Sequence, residues 1–311
     1  MTVTRRVAAF GLAALAAFCA GAGKAWAGVV DLGPEQPQRQ HTGRNEAAIA
    51  RIPKDFAFVK PGALTVGIHP SNPPTSTYAT DVRTVVGFDP DLIVLLAESL
   101  GLQPELTPTA WADWPLGLVS GRFDAVISNV TVTELRKEKF DFSTYRRDEL
   151  GWYVKTDSKI TAINEPKDAA GLRVITDAGT NQEKILLEWD RSNVAAGLKP
   201  IEVQYYDDDA ATTLTLLADR ADAIFSVNAQ RAYKAAVDGK TRLVGAVNGG
   251  WPLSAEIAVT TRKGSGLADA LTEAVNGLIA SGRYAALLAH WNLDAEGIET
   301  SHTNPPGLPK S

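Results

Sequence analysis

Apolar residues between positions 62 and 295 follow strand-like and helix-like patterns in turn. Residues 64–68 alternate with the period of a β-strand, and residues 89–100 place their leucines and isoleucine on one face of a helix. Gly101 ends that helix, and short buried strands then alternate with helices as far as Trp291. Strands that alternate with helices predict an α/β fold with parallel sheet layers.

The predicted elements divide into two units that meet near residue 155. A late strand at 257–260, followed by two helices, returns the chain to the first unit. We therefore predict one lobe from residues 62–154 plus 252–295 and a second lobe from residues 155–251. Residues 28–61 are predicted as an N-terminal extension that wraps or stays mobile, and residues 296–311 as a polar, Pro-rich tail.

The first 27 residues have the features of a secretory signal. Arg5 and Arg6 precede a short apolar run, and Ala-Trp-Ala at 25–27 offers a small-x-small cleavage site. An N-terminal membrane anchor is the alternative, but the apolar run is short for a span. Cleavage after residue 27 removes three basic residues and changes the formal net charge from −5 to −8. It also removes Cys19, the single cysteine, which suits an oxidising compartment.

The composition argues against several classes of function. An acidic chain with a pI near 5.5 has no basic surplus for nucleic-acid binding. The four histidines (His41, His69, His290 and His302) are far apart in sequence, and one cysteine cannot build a metal cluster. We therefore expect no metal and no cofactor, and a partner that is neither DNA nor RNA.

One segment carries the strongest chemical signal. A buried strand ends in the polar residues Ser128, Asn129 and Thr131, and a helix is predicted to start near Thr133. The carboxyl end of a strand beside a helix N-terminus is a common anion site in α/β sheets. Arg136 adds a guanidinium that can bind a carboxylate with two hydrogen bonds. The alternative is that Arg136 is a solvated charge within the charged run 136–139.

The order of motifs along residues 64–293 resembles the extracytoplasmic solute-binding proteins of ABC importers, specifically the polar amino-acid-binding family, family 3. The matching segments are GFDPDL at 87–92, SGRFD at 120–124, TVTELR at 131–136, KFDFS at 139–143 and DAGTN at 177–181. This resemblance implies a type II periplasmic-binding-protein fold. Each lobe is then a mixed sheet flanked by helices, and a two-strand hinge joins the lobes. It also implies a periplasmic monomer that delivers a small carboxylate, such as an amino acid, to an inner-membrane ABC permease.

The resemblance also implies where the ligand binds. Arg136 occupies the position that pairs with the α-carboxylate of the ligand, and the residues that complete this site are Ser128, Asn129 and Thr131 in the first lobe and Thr180 and Asn181 in the second. Trp111 matches an aromatic position that lines the cleft, with a core aromatic as the alternative. The family's usual second-lobe acid, which holds the ligand ammonium, is replaced by Val227. Two further family contacts are replaced by Asn72 and His69.

These departures leave the other end of the ligand open. Glu256 is one candidate for the ammonium, with a surface acid on an edge strand as the alternative. A methylated ammonium held by aromatic faces, or another organic anion, is a second possibility, for which Trp111, Trp114, Trp152 and Trp251 are available. Trp152 and Trp251 are equally compatible with hinge packing. An enzyme of the cyclohexadienyl-dehydratase type is a third possibility, and it requires a cleft carboxyl with a raised pKa, for which Glu256 is conceivable.

Overall fold

The computed structural model describes residues 30–206 and 208–310, so the predicted signal over 1–27 lies outside the described residues. Within this part, the strands are β1 (Ala63–Ile68), β2 (Thr77–Tyr78), β3 (Val85–Val86), β4 (Gln103–Pro108), β5 (Ala125–Ile127), β6 (Phe140–Arg147), β7 (Glu149–Lys155), β8 (Arg173–Thr176), β9 (Glu202–Tyr205), β10 (Ala223–Val227), β11 (Thr241–Asn248) and β12 (Glu256–Arg262). The α-helices are α1 (Glu46–Ile49), α2 (Phe88–Ser99), α3 (Trp114–Val119), α4 (Asn181–Ala195), α5 (Asp209–Leu217), α6 (Asn228–Asp238), α7 (Leu267–Ala280) and α8 (Arg283–His290).

Most of these strands form two mixed sheets. The first has the order β4-β1-β5-β12-β6, and the second has the order β11-β7-β10-β8-β9. Parallel pairing joins β1 to β4 and β5, and β8 to β9 and β10, whereas β12 and β7 run antiparallel to their neighbours. Helices flank each sheet and cover separate apolar cores. The predicted α/β fold with two lobes of mixed sheet is therefore confirmed.

The chain changes sheets at Asp148, earlier than the boundary predicted after residue 154. Strand β6 ends at Arg147 in the first sheet, and β7 begins at Glu149 in the second. Leu150 and Trp152 pack in the core of the second lobe, which explains why β7 belongs there. The return crossing lies between β11 and β12.

Asp148 also joins the two crossings to each other. Its backbone N–H donates to Ala255 O (3.1 Å), and its carbonyl accepts from Gly249 N (2.9 Å). A Cβ at Gly249 would lie 2.3 Å from Asp148 Cγ, so the Asp148 side chain requires glycine on the neighbouring crossing. The hinge is therefore a compact pair of segments centred on one acidic residue.

Both ends of the described chain pack on the first lobe. In the N-terminal extension, Arg39 Nε lies 2.7 Å from Asp91 Oδ1, and Ala48 of α1 is fully buried. In the C-terminal tail, His302 O accepts from Thr144 N of β6 (3.1 Å). No helix in residues 30–206 and 208–310 has the length and apolar character needed to cross a membrane.

Local structure differs from the sequence-based expectation at one important place. The helix predicted to start near Thr133 is a single 3-10 turn, Arg136–Glu138, whose first N–H donates to Thr133 Oγ1 (3.1 Å). A helical turn does start at Thr133, because Lys137 N donates to Thr133 O (3.0 Å), but it ends by Lys139, since strand β6 begins at Phe140. Glu134 N, which has no partner within a helix that starts here, donates to Leu308 O of the tail (2.8 Å). Strands β6 and β11 were also absent from the sequence-based prediction.

Candidate functional site

Arg136 is held in a defined orientation at the edge of the first lobe. Its Nη1 donates to Thr131 O (2.9 Å), and its guanidinium carbon lies 5.6 Å from the ring centre of Trp111. Trp111 is half-buried and meets Trp114 edge-on. Burial lowers the pKa of Arg136 to about 10, while the nearby Asp148 carboxylate opposes this shift. Arg136 therefore remains a cation at neutral pH, with its side chain already oriented.

The second lobe contributes the N-terminus of α4. Thr180 caps this helix by accepting from Glu183 N (3.3 Å), and Gly179 N donates to Glu183 Oε2 (2.7 Å). Asn181 is only 6% exposed, and its Nδ2 has no hydrogen-bond partner among the described residues. A buried amide donor at a helix N-terminus is suited to bind an anion.

Lys184 lies close to Arg136, although the two residues belong to different lobes. The pKa of Lys184 is lowered first by burial and then by the positive charge of Arg136. Within residues 30–206 and 208–310, neither cation forms an ion pair with a carboxylate. The sequence-based reasoning missed Lys184, although its position three residues after Asn181 puts both on the same face of α4. Two cations and a helix N-terminus therefore meet where the predicted carboxylate site lies.

Thr131 and Asn129 direct their side chains toward the hinge. Thr131 Oγ1 donates to Asp148 Oδ2 (2.8 Å), and Asn129 Nδ2 lies 3.4 Å from Asp148 Oδ1. Asn129 Oδ1 in turn accepts from Nη2 of the fully buried Arg146 (2.9 Å), which is also paired with Glu296. Burial raises the pKa of Asp148, against the hydrogen bond from Thr131 and the charge of Arg146. Sequence reasoning missed Asp148, an acid placed directly after two arginines.

Ser128, His69 and Asn72 lie around the carboxyl end of β1. Ser128 Oγ accepts from His69 N (2.8 Å), and His69 Nδ1 lies 3.2 Å from Thr109 O. Asn72 O accepts from the hydroxyl of Thr75 (3.0 Å). These contacts fix the loop that follows β1 at the same sheet edge as Ser128.

Neither Val227 nor Glu256 places a carboxylate against Arg136 or Lys184. Val227 ends β10 as a buried apolar residue. Glu256 bonds to the Arg136 segment only through its backbone, because its carbonyl accepts from Val132 N (3.0 Å). Burial raises the pKa of Tyr284 in α8, and the nearby Glu256 carboxylate adds to this shift. One carboxylate oxygen of Glu256 has no hydrogen-bond partner among the described residues.

The four candidate tryptophans are divided between the lobes. Trp111 and Trp114 pack together in the first lobe. Trp152 stacks on Trp189 in the second lobe with ring centres 5.2 Å apart, and Trp251 meets Trp189 edge-on. They therefore do not converge into one aromatic cage.

The lobes touch through α6. Gln230 Nε2 donates to Ser71 Oγ (3.0 Å) and to Thr75 Oγ1 (2.8 Å), both in the first lobe. Ala229 and Tyr233 of the same helix pack against the core of the first lobe. The two lobes are therefore bridged by a hydrogen-bonded glutamine as well as by the hinge crossings. Within the described part of the chain, no group of three or more His, Cys, Asp or Glu residues is arranged to hold a metal ion.

This arrangement of two lobes agrees with comparisons with known proteins. The family model of bacterial extracellular solute-binding proteins, family 3, matches residues 64–294. The chain belongs to this family. The matched region of this family 3 protein includes both lobes and excludes the N-terminal extension and almost all of the tail.

Individual relatives extend the comparison. The L-cystine-binding protein TcyJ of Escherichia coli K12 is 34% identical over 235 residues, which cover 74% of this chain and 82% of TcyJ. Cyclohexadienyl dehydratase of Pseudomonas aeruginosa is 25% identical over 171 residues, or 54% of this chain and 60% of that enzyme. An ancestral arginine-binding protein bound to arginine superposes with a TM-score of 0.65 at 26% identity, covering 74% of this chain and 98% of that structure.

Proposed function

We propose that this family 3 protein is the periplasmic receptor of an ABC importer and captures an amino acid between its lobes for delivery to a permease. One observation carries the proposal: Arg136 of the first lobe is desolvated and lies close enough to Lys184 of the second lobe to lower its pKa, and Asn181, one turn before Lys184, has a buried Nδ2 without a partner among the described residues. An α-carboxylate placed there meets a guanidinium, an amide donor, an ammonium and a helix N-terminus. We expect the protein to act as a monomer without a cofactor.

The charge around this site suggests which amino acids bind. Two cations, Arg136 and Lys184, lie there without ion-pair partners in the described part of the chain. The family resemblance also implies that Val227 occupies the position at which other members have an acid. A ligand whose side chain carries a net positive charge meets unfavourable charge, whereas a side chain that is acidic or has no net charge, such as the zwitterionic second half of cystine, does not. We therefore rank cystine, the ligand named for TcyJ, and acidic amino acids above arginine and lysine. A betaine is ranked lower, since the tryptophans do not form a cage.

A thermal-shift screen tests the proposed function. The ligand-free protein is heated with each amino acid, cystine, betaines, opines and organic acids, and binding raises its melting temperature by mass action. Arg136→Ala is expected to weaken binding of the best ligand by about 30-fold or more, since truncating one partner of a buried charge pair costs about 2–5 kcal/mol. Lys139→Ala removes an exposed cation nearby and serves as the control for long-range charge effects. Equal binding by the wild type and Arg136→Ala contradicts the carboxylate assignment.

A dehydratase is the second candidate, favoured by one observation. Asp148 is a buried carboxyl with a raised pKa that contacts Thr131 in the same segment as Arg136, and a general acid needs such a group. Incubation with prephenate and arogenate, followed by product analysis, distinguishes the candidates. Turnover that disappears in Asp148→Asn supports the enzyme, and stable binding without turnover supports the receptor.

A further inference from the structure

The C-terminal tail follows the free edge of the first-lobe sheet before it reaches the ligand-binding segment. Strand β6 is the edge strand of that sheet, and residues 301–304 pair with it. Asn304 N donates to Phe142 O (3.0 Å), and His302 N donates to Thr144 Oγ1 (2.9 Å). These contacts fix the direction of the tail, so that residues 305–310 lie against the segment that carries Arg136.

The end of the tail then shares backbone hydrogen bonds with that segment. Leu308 N donates to Val132 O (3.0 Å), and Leu308 O accepts from Glu134 N (2.8 Å). Val132 N donates to Glu256 O of β12 (3.0 Å). The short stretch 132–134 is thus held jointly by a strand of the sheet and by the tail, and the tail accepts the Glu134 N–H, which has no partner within the helical turn that starts at Thr133.

The approach of the tail is close enough to require glycine at one position. A Cβ at Gly307 would lie 2.8 Å from the carbonyl carbon of Thr133 and 2.9 Å from the backbone nitrogen of Glu134. Gly307 N donates to Glu134 Oε1 (2.7 Å), and this bond, followed by that from Lys137, lowers the pKa of Glu134. Lys137 Nζ also donates to Pro305 O (3.0 Å). Lys310 and Glu138 form a further ion pair across the same contact.

Both internal supports of Arg136 lie next to these tail contacts. Arg136 N donates to Thr133 Oγ1 (3.1 Å), and its guanidinium donates to Thr131 O (2.9 Å). The tail bonds to the two residues on either side of Thr133. A displacement of the tail therefore displaces both acceptors that set the position of the guanidinium. A binding group misplaced by about 1 Å loses much of its effect.

We propose that residues 301–310 are a positioning segment for Arg136, so that the tail sets ligand affinity without touching the ligand. The inference rests on the proposed function, because it takes Arg136 as the carboxylate-binding residue. The tail contributes no ligand contact of its own. It acts by holding the 3-10 turn in its ligand-binding geometry before the ligand arrives.

Gly307→Val in the full-length chain tests this role. The branched side chain cannot fit against Thr133 and Glu134, so we expect about tenfold weaker binding of the best L-amino acid from the thermal-shift screen. A second variant ends at Asn304, so it keeps the pairing with β6 and removes the contacts to residues 132–138. We expect it to bind the same amino acid about as weakly as Gly307→Val does. Glu299→Ala is the matched control, since Glu299 is an exposed tail residue with no hydrogen bond to this segment. Unchanged affinity in both tail variants overturns the proposal.

A double-mutant cycle separates positioning from general damage. Arg136→Lys retains a charge but loses the guanidinium fork, so Gly307→Val should weaken binding much less in this background than in the wild type. An equal loss in both backgrounds shows that the tail does not act through Arg136. If Arg136→Lys alone has no effect, the carboxylate assignment itself has failed, which is a different result.

Hydrogen exchange of the ligand-free protein supplies a readout that needs no ligand. Gly307→Val should speed exchange of the amides of Val132, Glu134 and Arg136, while the amides of α4 in the second lobe keep their wild-type rates. Unaltered protection at these three amides overturns the proposal even if affinity falls.

Discussion

The two halves of the proposed carboxylate site are built in different ways. On the first lobe, Arg136 is supported by Thr131 O, the Trp111 ring, strand β12 and the tail. On the second lobe, the start of α4 depends on its own capping bonds, and Asn181 retains an unpartnered buried donor. The difference indicates that the first-lobe half is preorganised, whereas the second-lobe half becomes satisfied only when a ligand binds. We therefore expect the ligand to bind first to the first lobe, and the second lobe to close on it.

The largest expected effect comes from substituting Arg146, the buried residue that supports Asn129 in the first-lobe half of the site. Arg146→Met leaves the buried Glu296 without its ion pair and removes the donor to Asn129 Oδ1. Breaking a buried ion pair by removing one partner costs about 3–5 kcal/mol, and we expect that loss in the unfolding free energy of the ligand-free protein measured in urea. Arg147→Met is the control. Its exposed guanidinium donates to Ala295 O (3.1 Å), and we expect a change of about 1 kcal/mol or less. Similar losses in both variants would remove the evidence that the Arg146 cluster stabilises this half.

A second test uses the pH dependence of the same lobe. Asp89 of α2 is buried, and desolvation raises its pKa from the ordinary value of 3.8 to about 6 despite the charge of Arg146. Between these values the folded state holds a proton that the unfolded state releases, so this residue lowers stability as the pH rises from 4 to 6. The stability of Asp89→Asn relative to the wild type should therefore increase by about 3 kcal/mol between pH 4 and pH 7.

In the same experiment, the stability of Asp81→Asn relative to the wild type should have the opposite pH dependence. Asp81 is exposed, and hydrogen bonds from Thr84 and Arg83 lower its pKa. Its contribution is present above its unfolded pKa and is lost at acidic pH, so the relative stability of Asp81→Asn should fall slightly as the pH rises. A difference between Asp89→Asn and wild type that does not vary with pH would show that folding does not raise the pKa of Asp89.

Substitution of Asn181 tests the second-lobe half of the proposed site. Asn181→Ala removes a donor that is unpaired without ligand, so the ligand-free protein should keep its stability or gain slightly. Ligand affinity should fall by about 10- to 100-fold, the effect of losing a hydrogen bond to a charged group at about 1.5–3 kcal/mol. Calorimetric titration and thermal unfolding measure the two quantities.

Asn193 on the same helix is the matched control for Asn181. It is also buried, but its Nδ2 donates to Pro166 O (2.7 Å). Asn193→Ala should therefore lower the stability of the ligand-free protein by about 1–3 kcal/mol and leave ligand affinity unchanged. If Asn181→Ala destabilises the ligand-free protein as Asn193→Ala does, Asn181 is a structural residue and the contrast between the halves fails.

The sequence was sufficient for the parts of the fold and site that rest on local patterns. Helix α2 and strand β1 appear in the apolar pattern, and Arg136, Thr180 and Asn181 lie in recognisable motifs. Strand β6 escaped prediction because its buried positions include Ser143, Thr144 and Arg146, which break the apolar pattern and are stabilised by distant partners. The helix predicted at Thr133 starts there but is limited to one turn, because strand β6 begins at Phe140 and pairs with β12, which is distant in sequence.

Residues defined by contact between elements were beyond sequence reasoning. Asp148 matters because two chain crossings meet there, and Lys184 because closure brings it near Arg136. A contact between two chain crossings, or between residues of different lobes, leaves no pattern among neighbouring residues in the sequence. The same holds for Gln230, whose partners Ser71 and Thr75 belong to the other lobe.

Gln230 provides the smallest and most specific test of the contrast between the halves. Gln230→Leu keeps the size of the side chain and removes both hydrogen bonds between the lobes. We expect ligand affinity to fall only about 5-fold, since each of the two bonds contributes about 0.5 kcal/mol, the low end of the usual range, because water replaces it when the lobes open. Because closure follows ligand binding to the first lobe, the loss should be in the dissociation rate, with the association rate unchanged, as stopped-flow fluorescence can measure.

Gln204→Leu is the control, because Gln204 bonds within the second lobe to Glu202 and Arg220 O. A changed association rate in Gln230→Leu would mean that the ligand selects lobes that are already closed. Arg136 and Asn181 would then act together from the first encounter. In that case Arg136→Lys and Asn181→Ala should slow association to the same extent, whereas sequential closure requires that only Arg136→Lys does so.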